Sequence, residues 1–553
     1  MPVNTITGRA PGEMLLCKVN VRRNLFEYRF FVDFLKRDIA FETAGEYLEI
    51  FQTEGAEDLP DLFLVIAAFN EQTLRFMLLG GQTSVPRQND TILGAGNAND
   101  LLVFICVRIR DVEAQYPKPP RELTHHHIGN KPGVLHGIIQ GQTSESPISL
   151  DNPRTKLGDS TSVPELSQMK RQAEVVIIGG GVVGLSIAHH LAKRGMTDVV
   201  VLEKESMVGA GSTGRCAGGF RHQFSTEINI RLSLLSVSKL EHFAEELDQA
   251  IDFYQDGYLF LLQTPEDVAS FRENVRLQRR LGIPVDFLQP DEIGRVLPDM
   301  EITIGDVRAA TYCAIDGVSD PAGVTEGYRR AAVRSGVMIS TDQEVVGIDI
   351  EHGRVTGVRT KTDRVSTGTV VNAAGPYAAV IGKMAGVDIP VVPLRRFIWT
   401  TKPFAKAPQR WTLVVDFSSG FYFHRESGGV LFGMGNREES PTFHLGVDWD
   451  FFDRVMEVAV HRFPPIADAA IKNAWAGSYE TSPDAHPILG RVGGLDGFIL
   501  ANGFSGHGFQ HAPAVGELIA EEILDGKAHT LDISPLRIQR FTKGSTTVEM
   551  NVV

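Results

Sequence analysis

Cysteine is scarce in this chain: only Cys17, Cys106, Cys216 and Cys313 occur, and none falls in C-x-x-C spacing. That excludes a disulfide framework or a clustered zinc site and fits a reducing compartment. No uninterrupted apolar run is long enough to span a bilayer. The opening MPVNTITGRAPGEM has no charged-then-apolar signal pattern. A cytoplasmic location without an integral membrane segment is therefore expected. Basic residues are in deficit, 54 Lys plus Arg against 68 Asp plus Glu for a net charge of −14, which speaks against a general nucleic-acid partner. Apolar content is ample instead. With 43% hydrophobic and 22% charged residues, the 553-residue chain suits roughly three or four globular domains.

The most informative stretch is EVVIIGGGVVGLSIAHHLAKRGMTDVVVLEK, Glu174 to Lys204. It reads strand, glycine turn, helix, strand. Glu174 to Ile178 is too apolar to face water and predicts a buried parallel strand. Gly179, Gly181 and Gly184 stand in G-x-G-x-x-G spacing where the strand gives way to a helix, with Val182 and Val183 opening that helix. The first glycine permits the turn, the second lets backbone N–H groups reach a pyrophosphate, and the third lets helix and strand pack closely. Phosphates are favoured at the helix N-terminus. A second apolar strand, Asp198 to Leu202, ends in Glu203, 19 positions after Gly184, where an acid can accept from ribose hydroxyls. These features predict a dinucleotide cradle and leave FAD and NAD open.

A first strand of this kind opens its own domain, so residues 1–139 form a separate unit. Leu15 to Val21 alternates like a strand, Leu25 to Lys36 spaces Phe26, Phe30 and Phe34 like a helix, and Ile39 to Thr43, Tyr47 to Phe51 and Asp61 to Ala67 read as strands. That is a βαβββ unit. Leu101 to Arg108 with DVEAQY begins a similar strand and helix, suggesting an internal repeat. FFVDFLKRDIAFETAGEYLEIF and VRIRDVEAQY resemble the vicinal-oxygen-chelate, or glyoxalase-like, family over about Leu15 to Gln140. That resemblance implies an open sheet face where such folds often hold a metal, and here His125, His126, His127 and His136 offer the imidazoles. Three adjacent histidines suit a solvated loop, so a metal-free interaction module is expected. Residues 140–172, rich in Ser, Thr, Pro and Gly, read as a linker.

GAGSTGRCAGGFRHQFS, Gly209 to Ser225, follows the cradle. Here the chain resembles the FAD-dependent D-amino-acid-oxidase superfamily, in particular β subunits of the sarcosine oxidase and L-proline dehydrogenase type, from Ala173 to about Arg540. The resemblance implies an α/β fold: a Rossmann-type FAD domain (about 173–250, 299–391 and 475–540) with an α+β substrate domain (about 251–298 and 392–474), preceded by the smaller α+β unit and followed by a tail, 541–553. It implies FAD contacts from Lys204, Gly211, Ser212, Thr213 and Arg215, from Val346 beside Val345, and from Ala374 and Gly375 in TVVNAAGPYAA. DGVSDPAG, Asp316 to Gly323, resembles the turn by which the chain re-enters the FAD domain. Relatives that tether flavin covalently use a histidine after the ribose acid. Arg215 and Cys216 stand there and His222 further on, so non-covalent FAD is expected.

Near the end, WAGSYETSPDAHPILGRV leads into GFILANGFSGHGFQHAPAVGELIAEEIL, Gly497 to Leu524. Gly503, Gly506 and Gly508 permit a backbone loop that, with Phe509 and Gln510, is expected to contact the cofactor, and Ala512 to Leu524 continues as a helix whose N-terminal amides can stabilise negative charge on a reduced flavin. His507 sits inside this loop, either bonding backbone or lying beside the isoalloxazine. Leu413 to Phe417, Phe421 to His424 and Gly429 to Met434 read as neighbouring antiparallel strands able to roof the flavin. Tyr422, His424, Arg395 and Arg396 are the candidates there for holding a substrate carboxylate.

The expected reaction is oxidation of the C–N bond of a secondary or N-methylated amino acid, sarcosine- or proline-like, by hydride transfer to flavin N5. The electrons pass to oxygen or, as β-subunit-like sequences favour, to a partner protein. An amine entering neutral needs no obligatory protein base. Two alternatives stand beside this reading: oxidation of a 2-hydroxy acid, with His507 as base, and a non-catalytic flavin-binding assembly protein.

Overall fold

The structure, a computed structural model, describes residues 170–544 and 546–552 and the backbone of six strands nearer the N-terminus. The chain divides into two units, Met1–Lys156 and Leu157–Val553. In the first, Leu15–Val21, Asn24–Val32, Ile39–Thr43 and Glu46–Tyr47 form an antiparallel sheet, and Leu62–Phe69 pairs with Thr73–Gly80. The stretch expected as a helix from Leu25 is thus a strand, Asn24–Val32. A spacing of four between aromatics fits a strand's period of two as well as a helix, and Phe26, Tyr28, Phe30 and Val32 are strand-favouring residues at alternate positions. The Leu101 to Arg108 repeat, the four histidines and most of the linker lie outside the described residues.

The second unit is built on two sheets. The first has six strands in the order Met338–Ser340, Val199–Leu202, Val175–Ile178, Thr369–Asn372, Phe498–Asn502 and Ile488–Arg491, parallel except for the last pair. Every residue of Val175–Ile178 is buried, as a run of β-branched side chains covered on both faces must be. One face packs the helices Val182–Lys193, Glu227–Glu241, Pro321–Arg334 and Gly508–Leu524 around a continuous core that includes Leu185, Leu232, Val324 and Val515. The helix Pro321–Arg334 starts where the Asp320 carboxylate accepts from the N–H groups of Ala322 and Gly323, with proline at the first helical position. The other face carries the small sheet Val345–Glu351, Arg354–Thr360 and Arg364–Ser366.

The second sheet has eight strands, in the order Val285–Leu288, Ala309–Cys313, Tyr258–Leu262, Leu413–Asp416, Phe421–Glu426, Gly429–Met434, Val392–Thr401 and Ile471–Thr481. The three strands from Leu413 to Met434 pair antiparallel in succession. The sheet also takes in Ala309–Cys313 and continues through Thr481, beyond the limits of 298 and 474 expected for this part. Such membership depends on pairing with strands far away in sequence, which local composition does not record. Helix Trp449–Arg462 covers one face through Phe451, Val455 and Ala459.

Candidate active site

A cavity of about 360 Å³ runs between the two sheets. Its first half is the glycine turn. Gly179 has φ +112°, and a Cβ there would stand 2.3 Å from the carbonyl oxygen of Ala373, so the turn and the neighbouring strand end admit only glycine. A Cβ on Gly184 would stand 2.0 Å from the Gly179 carbonyl oxygen, which makes that residue a packing position rather than part of the wall. Gly181 differs: a Cβ there meets only Thr213 Oγ1, at 3.3 Å, and the residue lines the cavity with Val182 and Val183.

The buried Glu203 carboxylate accepts from the Gly180 N–H at 2.8 Å and the Glu205 N–H at 2.9 Å. Its remaining lone pairs are available to a hydroxyl-bearing ligand. Lys204 places Nζ 3.8 Å over the Tyr377 ring. The loop from Gly211 ties the turn to the second sheet. Thr213 Oγ1 accepts from Val182 N–H, Ser212 Oγ donates to Ser478 O at 2.6 Å, and Arg215 Nη1 donates to Ala476 O at 3.4 Å. Gly211, Ala374 and Gly375 complete this half of the wall.

The second half is the loop before helix Gly508–Leu524. Gly506 has φ +95°, and a Cβ there would stand 2.5 Å from the Tyr479 ring. The first-turn amides at Gly508, Phe509 and Gln510 have no intrahelical partner, and all three residues line the cavity. His507 is buried, edge-on to Phe224 with centroids 4.8 Å apart. Its Nε2 lies 3.2 Å from Arg221 Nη2. A guanidinium can only donate, so Nε2 accepts and the proton sits on Nδ1, a buried donor with no partner among the described residues. Burial, then the Arg221 charge, hold the His507 pKa well below the usual imidazole value.

On the substrate side, Arg396 and Tyr422 line the cavity, and burial pushes the Tyr422 phenol well above its ordinary value. Arg396 carries its guanidinium 4.9 Å over the Tyr479 ring, and its buried Nε has no partner. Four expected positions lie elsewhere. Arg395 is spent on Glu439, at 3.0 Å, and on Gly446 O. His424 is buried outside the wall, its Nδ1 2.6 Å from Arg425 O and its Nε2 3.1 Å from Ala217 O, so its ring serves the backbone. Val346 is exposed on its strand and is not among the lining residues. Gly503 stands behind the wall, donating its N–H to Glu480 Oε2 at 2.9 Å.

Among the cavity residues that the sequence did not single out are Arg221, Tyr258, Tyr479 and Glu480. Burial pushes Tyr258 up to about 12 and the Glu480 carboxyl up to about 8. Arg221 lies inside the Gly-rich stretch Gly209 to Ser225, where its signal is a charged residue between Phe220 and Phe224.

Residues 174–522 match the family model described as FAD dependent oxidoreductase (DAO). The chain belongs to that family. As an FAD-dependent oxidoreductase it takes FAD as cofactor, and the site fits that molecule: an open wall at Gly181, an acid with spare lone pairs at Glu203, free helix amides at the far end and the orphaned His507 N–H. The chain is similar to the Xenopus laevis protein "FAD-dependent oxidoreductase domain-containing protein 1", 33% identical over 432 residues that cover 69% of this chain and 85% of that one. It is 32% identical over 406 residues to mitochondrial dimethylglycine dehydrogenase of Rattus norvegicus, covering 70% of this chain and 47% of that protein. Among solved structures, L-proline dehydrogenase from P. horikoshii superposes with a TM-score of 0.64 at 36% identity, over 68% of this chain and 100% of that one. Among the described residues, no helix is long and apolar enough to cross a membrane.

Proposed function

We propose that this FAD-dependent oxidoreductase oxidises the C–N bond of a secondary or N-methylated amino acid of the sarcosine or proline type. The observation that carries the reading is Arg396: a cavity-lining guanidinium that donates from Nη1 to the Arg395 carbonyl oxygen and, among the described residues, pairs with no carboxylate, beside Arg395, whose charge is already matched by Glu439. An α-carboxylate is the anion that a planar guanidinium receives bidentately. The names of two similar proteins, a dimethylglycine dehydrogenase and an L-proline dehydrogenase, support the same substrate class.

FAD, when bound, would supply the electron chemistry as a two-electron acceptor for the substrate's α C–H bond. The chain's own residues orient and desolvate. Arg396 holds the carboxylate, the apolar side chains of Ile398, Leu413 and Leu445 exclude water from the same wall, and the helix amides with His507 Nδ1–H offer donors to developing negative charge. Residues Gly181, Glu203, Ser212 and Thr213 would hold the adenylate half. His507 is poorly suited to act as a base: its Nε2 lone pair is taken by Arg221, and burial and that cation disfavour its protonation. This disfavours the 2-hydroxy-acid alternative and matches an amine that enters neutral.

Non-covalent attachment is part of the proposal. His222 is buried with Nδ1 bonded to Asp316 at 2.7 Å, and burial pushes the Cys216 thiol up to about 11, away from the nucleophilic thiolate. Denaturation should release all the flavin. Transfer of electrons to a partner protein, and a cytoplasmic location suited to the free thiols of Cys216 and Cys313, complete the reading. Anaerobic mixing with sarcosine, proline and a set of 2-hydroxy acids tests it. Bleaching of the flavin by an amine is the expected result, and bleaching by hydroxy acids alone overturns it.

A further inference from the structure

Arg221 is buried, yet among the described residues no carboxylate pairs with it. Its compensation is unusual. The guanidinium lies 4.1 Å over the Phe224 ring, donates from Nη1 to Gln223 O at 3.1 Å, and donates from Nη2 to the main-chain oxygen of Asn551 at 2.6 Å. The same Nη2 faces His507 Nε2. Residues 546–552, which follow the helix Arg540–Lys543 in the chain, therefore reach back to Arg221 on the cavity wall.

That segment is anchored rather than draped. Glu549 and Asn551 are 2% and 0% exposed, while Val548 and Met550 between and beside them are 47% and 61% exposed. The Glu549 carboxylate accepts from Ser225 N–H and Oγ, from Thr226 N–H and Oγ1, and from Asn229 Nδ2, all between 2.6 and 3.2 Å. Those donors sit at the start of helix Glu227–Glu241, where a negative charge is favoured by the free amides and the helix dipole. Asn551 adds side-chain bonds to Gln223 O and from Asn274 Nδ2. A carboxylate with this many donors costs little to bury, but loses several charge-assisted bonds if withdrawn.

We propose that residues 546–552 are a positioning strap for the redox half of the site: Glu549 docks it, the Asn551 carbonyl aims Arg221, and Arg221 in turn holds His507, on the cavity wall, in the tautomer that keeps its proton on Nδ1. Without the strap, Arg221 keeps one carbonyl partner, Gln223 O, and the rings of Phe224, Phe260 and Tyr258. Nothing then aims its Nη2, and His507 loses the donor that fixes its proton. The inference rests on the FAD reading of the cavity, but not on the identity of the amine.

The test uses the full-length flavoprotein, a version ending at Met550, and the variants Glu549→Ala and Glu549→Gln. Limited proteolysis and hydrogen exchange over 503–510 show whether the strap is docked. The midpoint potential of bound flavin, measured by enzymatic reduction against a reference dye, reports the electrostatics of the wall without any amine. Anaerobic reduction by the amine separates maximal rate from apparent affinity. The chain ending at Met550 and Glu549→Ala are expected to lower the midpoint potential and to slow maximal reduction on the order of ten- to a hundredfold per bound flavin, the loss expected when one oriented donor is misplaced. Glu549→Gln, which keeps an acceptor, recovers part of this. Parent-like potential and per-flavin rate in a variant whose strap is shown to be undocked overturn the proposal. Lower flavin content or thermal stability alone, with those two quantities unchanged, assigns the strap a purely structural role and overturns it equally. Failure of the parent to bind FAD, or to be reduced by any amine, would instead count against the function proposed above.

Discussion

Arg396 stands with its guanidinium 4.9 Å over the ring of Tyr479, while its sequence neighbour Arg395 is locked to Glu439 at 3.0 Å. Adjacent residues of a strand point to opposite faces, so one charge is spent on the fold and the other is left for a ligand. Replacing Arg396 by Ala should raise the amine concentration needed for half-maximal flavin reduction by about 10- to 100-fold, the worth of one or two charge-assisted hydrogen bonds. Arg396→Lys should recover only part of the loss, since a point charge cannot pair bidentately. A titration of reduction rate against amine, at unchanged flavin content, checks both. Unaltered saturation in the Ala variant would remove the carboxylate role.

Gly181→Val should fold and stay colourless. A side chain at this position meets only Thr213 Oγ1 inside the protein, so the branched atoms project into the cavity where the pyrophosphate is expected. Circular dichroism and the flavin absorbance of the purified variant decide it. A yellow protein at full occupancy sinks the cradle argument.

His507→Ala should slow flavin reduction on the order of a hundred- to a thousandfold without emptying the site, because one buried donor is lost while the glycine turn and Glu203 remain. Stopped-flow reduction per bound flavin is the measurement. A parent-like rate would make His507 a packing residue against Phe224.

Glu480 predicts a pH dependence of the flavin-free protein. Burial outweighs the N–H donors of Gly503 and Phe504 and carries its carboxyl from 4.5 up to about 8. A folded pKa raised in this way stabilises the fold fully below the unfolded value, and that stabilisation is lost as pH rises through the folded one. Glu480→Gln stays neutral throughout. It should match the parent near pH 4 and exceed it at pH 9 by on the order of 2 kcal/mol, discounted for water in the cavity. Thermal denaturation across that range is the check, and parallel curves for the two proteins contradict it.

The adenylate half of the site was legible because its chemistry is local. Gly179, Gly181 and Glu203 fall within 25 residues, and their spacing encodes turn, approach and acceptor together. The loop at Gly506 and His507 was legible through its glycines. Arg221, Tyr258, Tyr479 and Glu480 were not, since each takes its role from burial against residues more than 20 positions away. His424 and Arg395 misled for the mirror reason: a strand sequence does not reveal that His424 meets Ala217 O or that Arg395 meets Glu439. In the N-terminal unit, aromatics four apart fit two periods, and the strand Asn24–Val32 took the one that was not expected.

The wall of a single cavity spans Gly179 to Gln510, and Asn551 reaches the same wall through Arg221. On the ribosome these parts are made far apart in time: at about 5–20 residues per second, roughly 20 to 60 seconds separate the glycine turn from the loop at Gly506. The flavin therefore cannot be fully enclosed until the loop at Gly506 has been made. Until then the cavity lacks its redox half, so flavin supply during expression, as much as temperature, should set how much protein matures.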